Sequence, residues 1–275
     1  MMRMRIVFFV GLLMLYTWGF TTRESLTLSA ETPLELAFPV TFQTIAAGYM
    51  KQLAAEMLFI KTSVFLSGLQ IKMPQEIYAD ALANNFQVMS SLYPRFIDPY
   101  YFCESFLPSI SPDSAAKANS VLETGIRAYP DDLIFRFYYG TNFFLWMNEP
   151  LKGAKAFEEA AQLPNAPQIF THLTAILSAQ GGEITAGYLT LQKLIQGEKD
   201  ETILFRYKKE KAFFEQALQV NDALIAYQKK YKAPPDDLNQ LVPEFLAQIP
   251  EFKDTFVLVY NKPVLRLLRP PPAKK

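Results

Sequence analysis

The chain is poor in the residues that most often carry chemistry: it has one cysteine, Cys103, and one histidine, His172. A single cysteine excludes an internal disulfide framework, and none stands after the apolar N-terminal run to accept a lipid. His172 has no cysteine or carboxylate at metal-ligand spacing, and there is no Gly-rich phosphate loop, Gly-x-Ser-x-Gly elbow or zinc pattern. Charge of neither sign is in excess, with 27 Lys and Arg against 27 Asp and Glu, so nothing draws the chain to nucleic acid. Glycine is scarce, at 11 residues against 19 prolines, which excludes flexible Gly/Ser linkers and suits helices punctuated at their starts. Cys103 reads as a small buried hydrophobe, and the pairs Glu158-Glu159 and Asp131-Asp132 as solvated helix surface or caps. These absences point away from an enzyme and from any cofactor or metal.

What is present is apolar surface. Half of the residues are hydrophobic and 14% aromatic, enough for a large core in one or two domains. At the N-terminus Arg3 and Arg5 precede an uncharged run, Ile6 to Phe20, with Tyr16 and Trp18 where interfacial aromatics sit. Residues 1–22 therefore read as an uncleaved inner-membrane anchor with the body on the outer, periplasmic side; a cleaved signal or a buried N-terminal helix stays open, because no clean cleavage site follows. Residues 23–39, with Pro33 and Pro39, read as a tether.

The most informative stretch is Tyr129 to Met147, YPDDLIFRFYYGTNFFLWM. Pro130, Asp131 and Asp132 predict a helix start, and Gly140 amid Phe and Tyr predicts close approach of a second helix. The pattern recurs. Anchored on Pro94, Pro130 and Pro164, the spacings are 130 − 94 = 36 and 164 − 130 = 34 residues, the period of a helix-turn-helix repeat. Ala118, Leu122, Gly125 and Pro130, then Gly153, Phe157, Ala160 and Pro164, take the small, large, small and Pro places of second helices. Tyr139-Gly140 with Phe143, and Leu173-Thr174 with Leu177, take the corresponding first-helix places.

On these residues the chain resembles the tetratricopeptide-repeat superfamily over 74–197, and AGYMKQLAAEMLFIKTSVFLSG resembles a segment of bacterial membrane-anchored members. The resemblance implies an all-α, TPR-like solenoid, to which the sequence adds a small C-terminal helix and β-hairpin module. The expected organisation is a long leading helix (Val40 to Leu69, within 40–73), the repeats (74–197), a capping helix (198–232) and the C-terminal module with its tail (233–275). In the leading helix, Leu53, Met57, Ile60 and Val64 predict one buried face. Asp98-Pro99 and Ser111-Pro112 predict helix starts, Gly181-Gly182 a stop and Asp200 a cap. Thr255 to Tyr260 and Val264 to Leu268 predict a hairpin about Asn261-Lys262-Pro263. Ala226 to Val242 resembles the C-terminal module of type II secretion pseudopilins, with Lys232-Ala233 where glycine is usual.

The resemblance also implies a concave groove. Its positions fall on Asp98, Tyr101 and Ser105, then Ile134, Phe137, Thr141 and Phe144, then Gln168, Thr171, Ala175 and Ser178. The Lys and Asn clamp of chaperone-binding members is absent, since Tyr101, Phe137 and Thr171 hold its central place, and rigid aromatics suit an apolar or extended peptide. Two flanking segments, the leading helix or the C-terminal helix, are candidates to fill the groove instead. The expected function is a non-catalytic protein-binding scaffold or assembly subunit of a bacterial envelope complex. A structural subunit of a secretion or pilus machine, and a periplasmic enzyme with a site hidden from the sequence, are the alternatives.

Overall fold

The computed structural model describes residues 11–18, 39–68, 74–251 and 255–270. Residues 11–18 are helical (α1), and Thr17 Oγ1 turns back to the carbonyls of Leu13 and Met14. The rest of the expected anchor, nearly all of the tether and the last five residues lie outside the described residues. Among the described residues no helix is long and apolar enough to cross a membrane. The chain divides into two compact units, Met1–Leu92 and Tyr93–Lys275.

The first unit contains α2 (Val40–Ala47), a 3-10 turn (Gly48–Met50), α3 (Lys51–Gly68) and α4 (Gln75–Leu92). The expected single helix from Val40 to Leu69 is therefore broken. Gly48 takes φ 50° and ψ −115°, and a Cβ there would touch nothing, so glycine is used for backbone freedom and not for close packing. The expected buried face of α3 is also wrong. Leu53, Met57, Ile60 and Val64 are 52 to 67% exposed, whereas Ala55, Thr62 and Leu66 are buried, on the side from which Thr62 and Phe65 meet α4. Asn85 Nδ2 donates to Thr62 Oγ1 at 3.4 Å, and the rings of Phe65 and Tyr78 meet edge to face at 5.6 Å. α3 is apolar on two sides, and the side with small Ala55 and Thr62 admits α4 more closely. Leu82, Phe86 and Met89 are fully buried in α4, which the unit boundary groups with α2 and α3.

The second unit runs α5 (Asp98–Phe106), α6 (Pro112–Ala128), α7 (Leu133–Leu145), α8 (Pro150–Ala160), α9 (Gln168–Gly181), α10 (Ile184–Gly197) and α11 (Glu201–Tyr231), each packing on the next. A 3-10 turn (Leu238–Leu241) and strands β1 (Val257–Asn261) and β2 (Val264–Leu268) follow. The protein is thus mostly helical with a small C-terminal β-hairpin. Caps set the helix phases. Ser111 accepts from Ser114 N, and Asp200 from Thr202 N and Ile203 N. Asp132, and not Pro130, starts α7, and Asp98 lies inside α5 without capping it. Lys232 takes the left-handed φ of 57° that ends α11, where glycine is the commoner choice.

The strands pair antiparallel from Val257↔Leu268 to Asn261↔Val264 around Lys262-Pro263, as expected within two residues. Leu265, Leu267 and Phe256 enter one core with Ala175, Ile176 and Ala179 of α9, Leu191 of α10 and Phe214 and Val220 of α11. The C-terminal module is thereby part of the same core as the helices before it.

Candidate binding groove

α7 carries four of the expected groove residues. Asp132 Oδ1 accepts from Ile134 N at 2.8 Å and Phe135 N at 3.0 Å, fixing where the helix begins and hence which side chains share a face. Gly140 faces the Phe157 ring of α8, and a Cβ there would lie 2.8 to 2.9 Å from its carbons. Gly153 of α8 in turn faces the Gly140 carbonyl, where a Cβ would stand at 3.1 Å. The two glycines let α7 and α8 approach closely.

A chain of rings then joins alternate helices. Tyr101 of α5 stands 6.5 Å from Tyr138, Tyr138 stands 6.2 Å from Phe137, and Phe137 lies 6.4 Å from Phe170 of α9, nearly parallel to it. Phe157 backs this row at 6.0 Å from Phe137 and 6.4 Å from Phe144. Of the expected groove residues, Ile134, Phe137 and Gln168 are exposed, and Tyr101, Thr141, Phe144 and Thr171 are half-buried. Thr141 Oγ1 is buried without a hydrogen-bond partner. Asp98 and Ser105 are exposed, with Ser105 Oγ donating to its own helix at the Tyr101 carbonyl. Ala175 and Ser178 are buried, and Ala175 belongs to the core shared with α11 and the hairpin, so these two expected positions offer no surface.

Beside the aromatic row runs a polar ladder that the sequence reading did not single out. Asn142 Nδ2 of α7 donates to both Glu104 oxygens at 3.1 Å and to Asn119 Oδ1 of α6 at 2.9 Å. Asn119 Nδ2 donates to the Tyr139 carbonyl at 3.3 Å. Burial pushes the Glu104 carboxyl up to about 7, against the opposing pull of the Asn142 amide. Among the described residues no Lys or Arg forms an ion pair with it. Burial likewise raises the neighbouring Cys103 thiol, and burial with Glu123 raises the Tyr139 phenol to about 12. The signal for Glu104 lay in the repeat: it falls 140 − 104 = 36 residues before Gly140, in the place where the other units carry Gly or Thr. A carboxylate in a small-residue place must find a polar partner.

His172 also acquires a partner. Its Nε2 lies 2.6 Å from Glu210 Oε2, both residues being about 4% exposed, and Arg269 Nη2 donates to Glu210 Oε1 at 2.7 Å. The His172 ring stacks obliquely on Tyr207 at 4.9 Å. α9, α11 and the end of β2 are tied at one point. The buried contact thus ties α9 to α11, and Arg269 ties both to the hairpin. Glu210 was legible as a charge on the stripe of Tyr207 and Phe214, whereas nothing local marked Arg269, 59 residues further on. Among the described residues no group of three or more His, Cys, Asp and Glu is placed to hold a metal ion. A cleft of about 780 Å³ lies away from the groove, between α11 and the segment after it, lined by Gln216, Gln219, Asp222, Phe245 and Gln248. Its lining is amide-rich, with the carboxylates of Asp222 and Glu251 among the amides.

No family model, curated protein or solved structure matches the chain.

Proposed function

We propose that this chain is a non-catalytic protein-binding scaffold, an assembly subunit of a bacterial envelope complex, whose TPR-like helices α5–α10 present a groove to a partner peptide. In this reading the N-terminal apolar run anchors it in the inner membrane with the body outside. Two neighbour relations support the repeat architecture: each helix packs on its successor, and side chains also join α5 to α7, α7 to α9 and α9 to α11. The observation that carries the function is the partly open aromatic row of Tyr101, Tyr138 and Phe137. Phe157 and Phe170 hold it from behind, with Ile134 and Gln168 exposed on the first helices α7 and α9. Aromatics already fixed in place lose little entropy on binding, which suits them as anchors for an extended apolar peptide.

A photo-crosslinking amino acid placed at Ile134 or at Gln168 of the full-length chain in cells tests this. Both positions should yield the same discrete adducts, and Ile134→Glu should abolish those formed from Gln168. Lys155, exposed on α8, is the control position. Adducts from Lys155 equal to those from Ile134 would sink the groove reading.

A further inference from the structure

The exposed side of α3 has a regularity that its contact with α4 does not use. Met50, in the 3-10 turn that leads into α3, and Leu53, Met57, Ile60 and Val64 of α3 follow one another at steps of 3, 4, 3 and 4 residues, and all five are more than half exposed. This is the seam of a two-stranded coiled coil, with Met50, Met57 and Val64 in the first core place of each heptad and Leu53 and Ile60 in the second. The opposite side of the same helix, Ala55, Thr62 and Leu66, is buried. A helix apolar on two sides needs two partners, and α4 supplies only one.

Charge says what the second partner is. Glu56 directly precedes the core residue Met57, and Lys61 directly follows the core residue Ile60. These are the flanking places that face each other, five residues apart, across a parallel pair of identical helices, so Glu56 of each copy meets Lys61 of the other. In an antiparallel pair each flanking place faces its own kind, so Glu56 and Lys61 fall on opposite edges of the seam and cannot meet. A bilayer would exploit neither the 3-and-4 spacing nor the order of the two charges, and a helix lying on lipid keeps a solvated basic face where α3 has α4. We propose that a second copy of this chain packs in parallel along the seam formed by Met50 and the exposed side of α3, making the protein a homodimer through its first unit. The seam spans about 21 Å, or two heptads, so the association is weak and depends on local concentration. It rests on observations separate from those that carry the groove.

Site-directed disulfide trapping of the full-length chain in cells tests the proposal, because the one native cysteine, Cys103, is fully buried and contributes little background. Leu53→Cys and Ile60→Cys should each give a disulfide-linked dimer on mild oxidation, and Lys51→Cys, exposed but off the seam, at least five-fold less. Glu56→Lys should reduce trapping at Ile60→Cys several-fold, and adding Lys61→Glu should restore it. Trapping that is equal at positions 51, 53 and 60, or that the charge swap fails to restore, overturns the proposal. So does a monomer throughout, with a dye on Met57→Cys shifting to the blue when the full-length chain is placed in phosphatidylglycerol vesicles; that outcome assigns the face to lipid.

Discussion

Replacing Glu104 by Gln should remove a pH dependence of stability that this one side chain imposes. Glu104 ordinarily titrates near 4.5, and burial raises it to about 7 in the folded chain. Folding therefore favours the protonated acid, so the group's contribution is fully present below pH 4.5 and is lost as the pH rises through 7. Over that interval the loss is on the order of 3 kcal/mol, at about 1.4 kcal/mol per pH unit of displacement. Gln keeps an oxygen to accept from Asn142, whose amide now reaches both carboxylate oxygens at 3.1 Å, and carries no charge to desolvate. Wild type and variant should be about equally stable at pH 4.5, and the variant more stable by up to about 3 kcal/mol at pH 8.5. Urea unfolding of detergent-solubilised chain, followed through Trp146 in a Trp18→Phe background, reads the second unit alone, because the chain has two tryptophans. Taking the difference between the two proteins cancels every other titrating group. If the two stabilities run parallel from pH 4.5 to 8.5, Glu104 is solvated in the folded chain and the buried ladder is not what joins α5 to α7.

The tie at Glu210 and the contact at Gly140 make two further predictions. Glu210→Gln removes the carboxylate shared by His172 and Arg269, and Arg269→Ala leaves the buried Glu210 Oε1 without its donor; each should destabilise the second unit by about 1 to 3 kcal/mol. Limited proteolysis should show the hairpin released first in the Glu210 variant. Gly140→Ala gains about 1 kcal/mol of helix propensity but drives a methyl into the Phe157 ring, and a net loss of about 1 to 2 kcal/mol by urea titration is expected. Phe157→Leu should recover part of that loss, since the clash is with the ring.

How far the sequence could be read depended on the range of the interaction. Features fixed within a few residues were legible: the caps at Ser111 and Asp200, the stop at Gly182, the hairpin about Lys262-Pro263, and the tight approach at Gly140. The repeat spacing also located the helices, because turns recur where prolines do. Faces were less legible than elements. On α3 both the Leu53–Val64 stripe and the Ala55–Leu66 stripe have helical spacing, and periodicity favours the bulkier side chains while α4 selects the smaller ones. The break at Gly48 was hidden because glycine is tolerated inside many helices and only the backbone angle shows its use here. Of the candidate groove, the identities at Ile134, Phe137 and Gln168 could be placed by repeat arithmetic. The burial of Ala175 and Ser178 could not, because the core that Ala175 joins is built by α11 and the hairpin, distant in sequence.

The joints α5–α7, α7–α9 and α9–α11 differ in whether a buried polar contact accompanies the rings, and their order bears on how the proposed groove would behave. α5 meets α7 through the Glu104–Asn142 hydrogen bonds, which Asn119 of α6 joins, as well as through the Tyr100–Phe135 and Tyr101–Tyr138 rings, and α9 meets α11 through His172 and Glu210 beside the Tyr207 ring. In both, a shift of one helix by an ångström strands a buried polar group at about 1 to 3 kcal/mol, so each joint has one good arrangement. α7 meets α9 through the Phe137 and Phe170 rings, 6.4 Å apart, and aromatic pairs keep most of their attraction over a range of offsets. The adaptable joint thus lies between two directional ones, and it is the joint that carries Ile134, Phe137, Gln168 and Thr171. A peptide seated there would be accommodated by sliding of rings at that joint, while the hydrogen-bonded joints on either side keep the remaining helices in register.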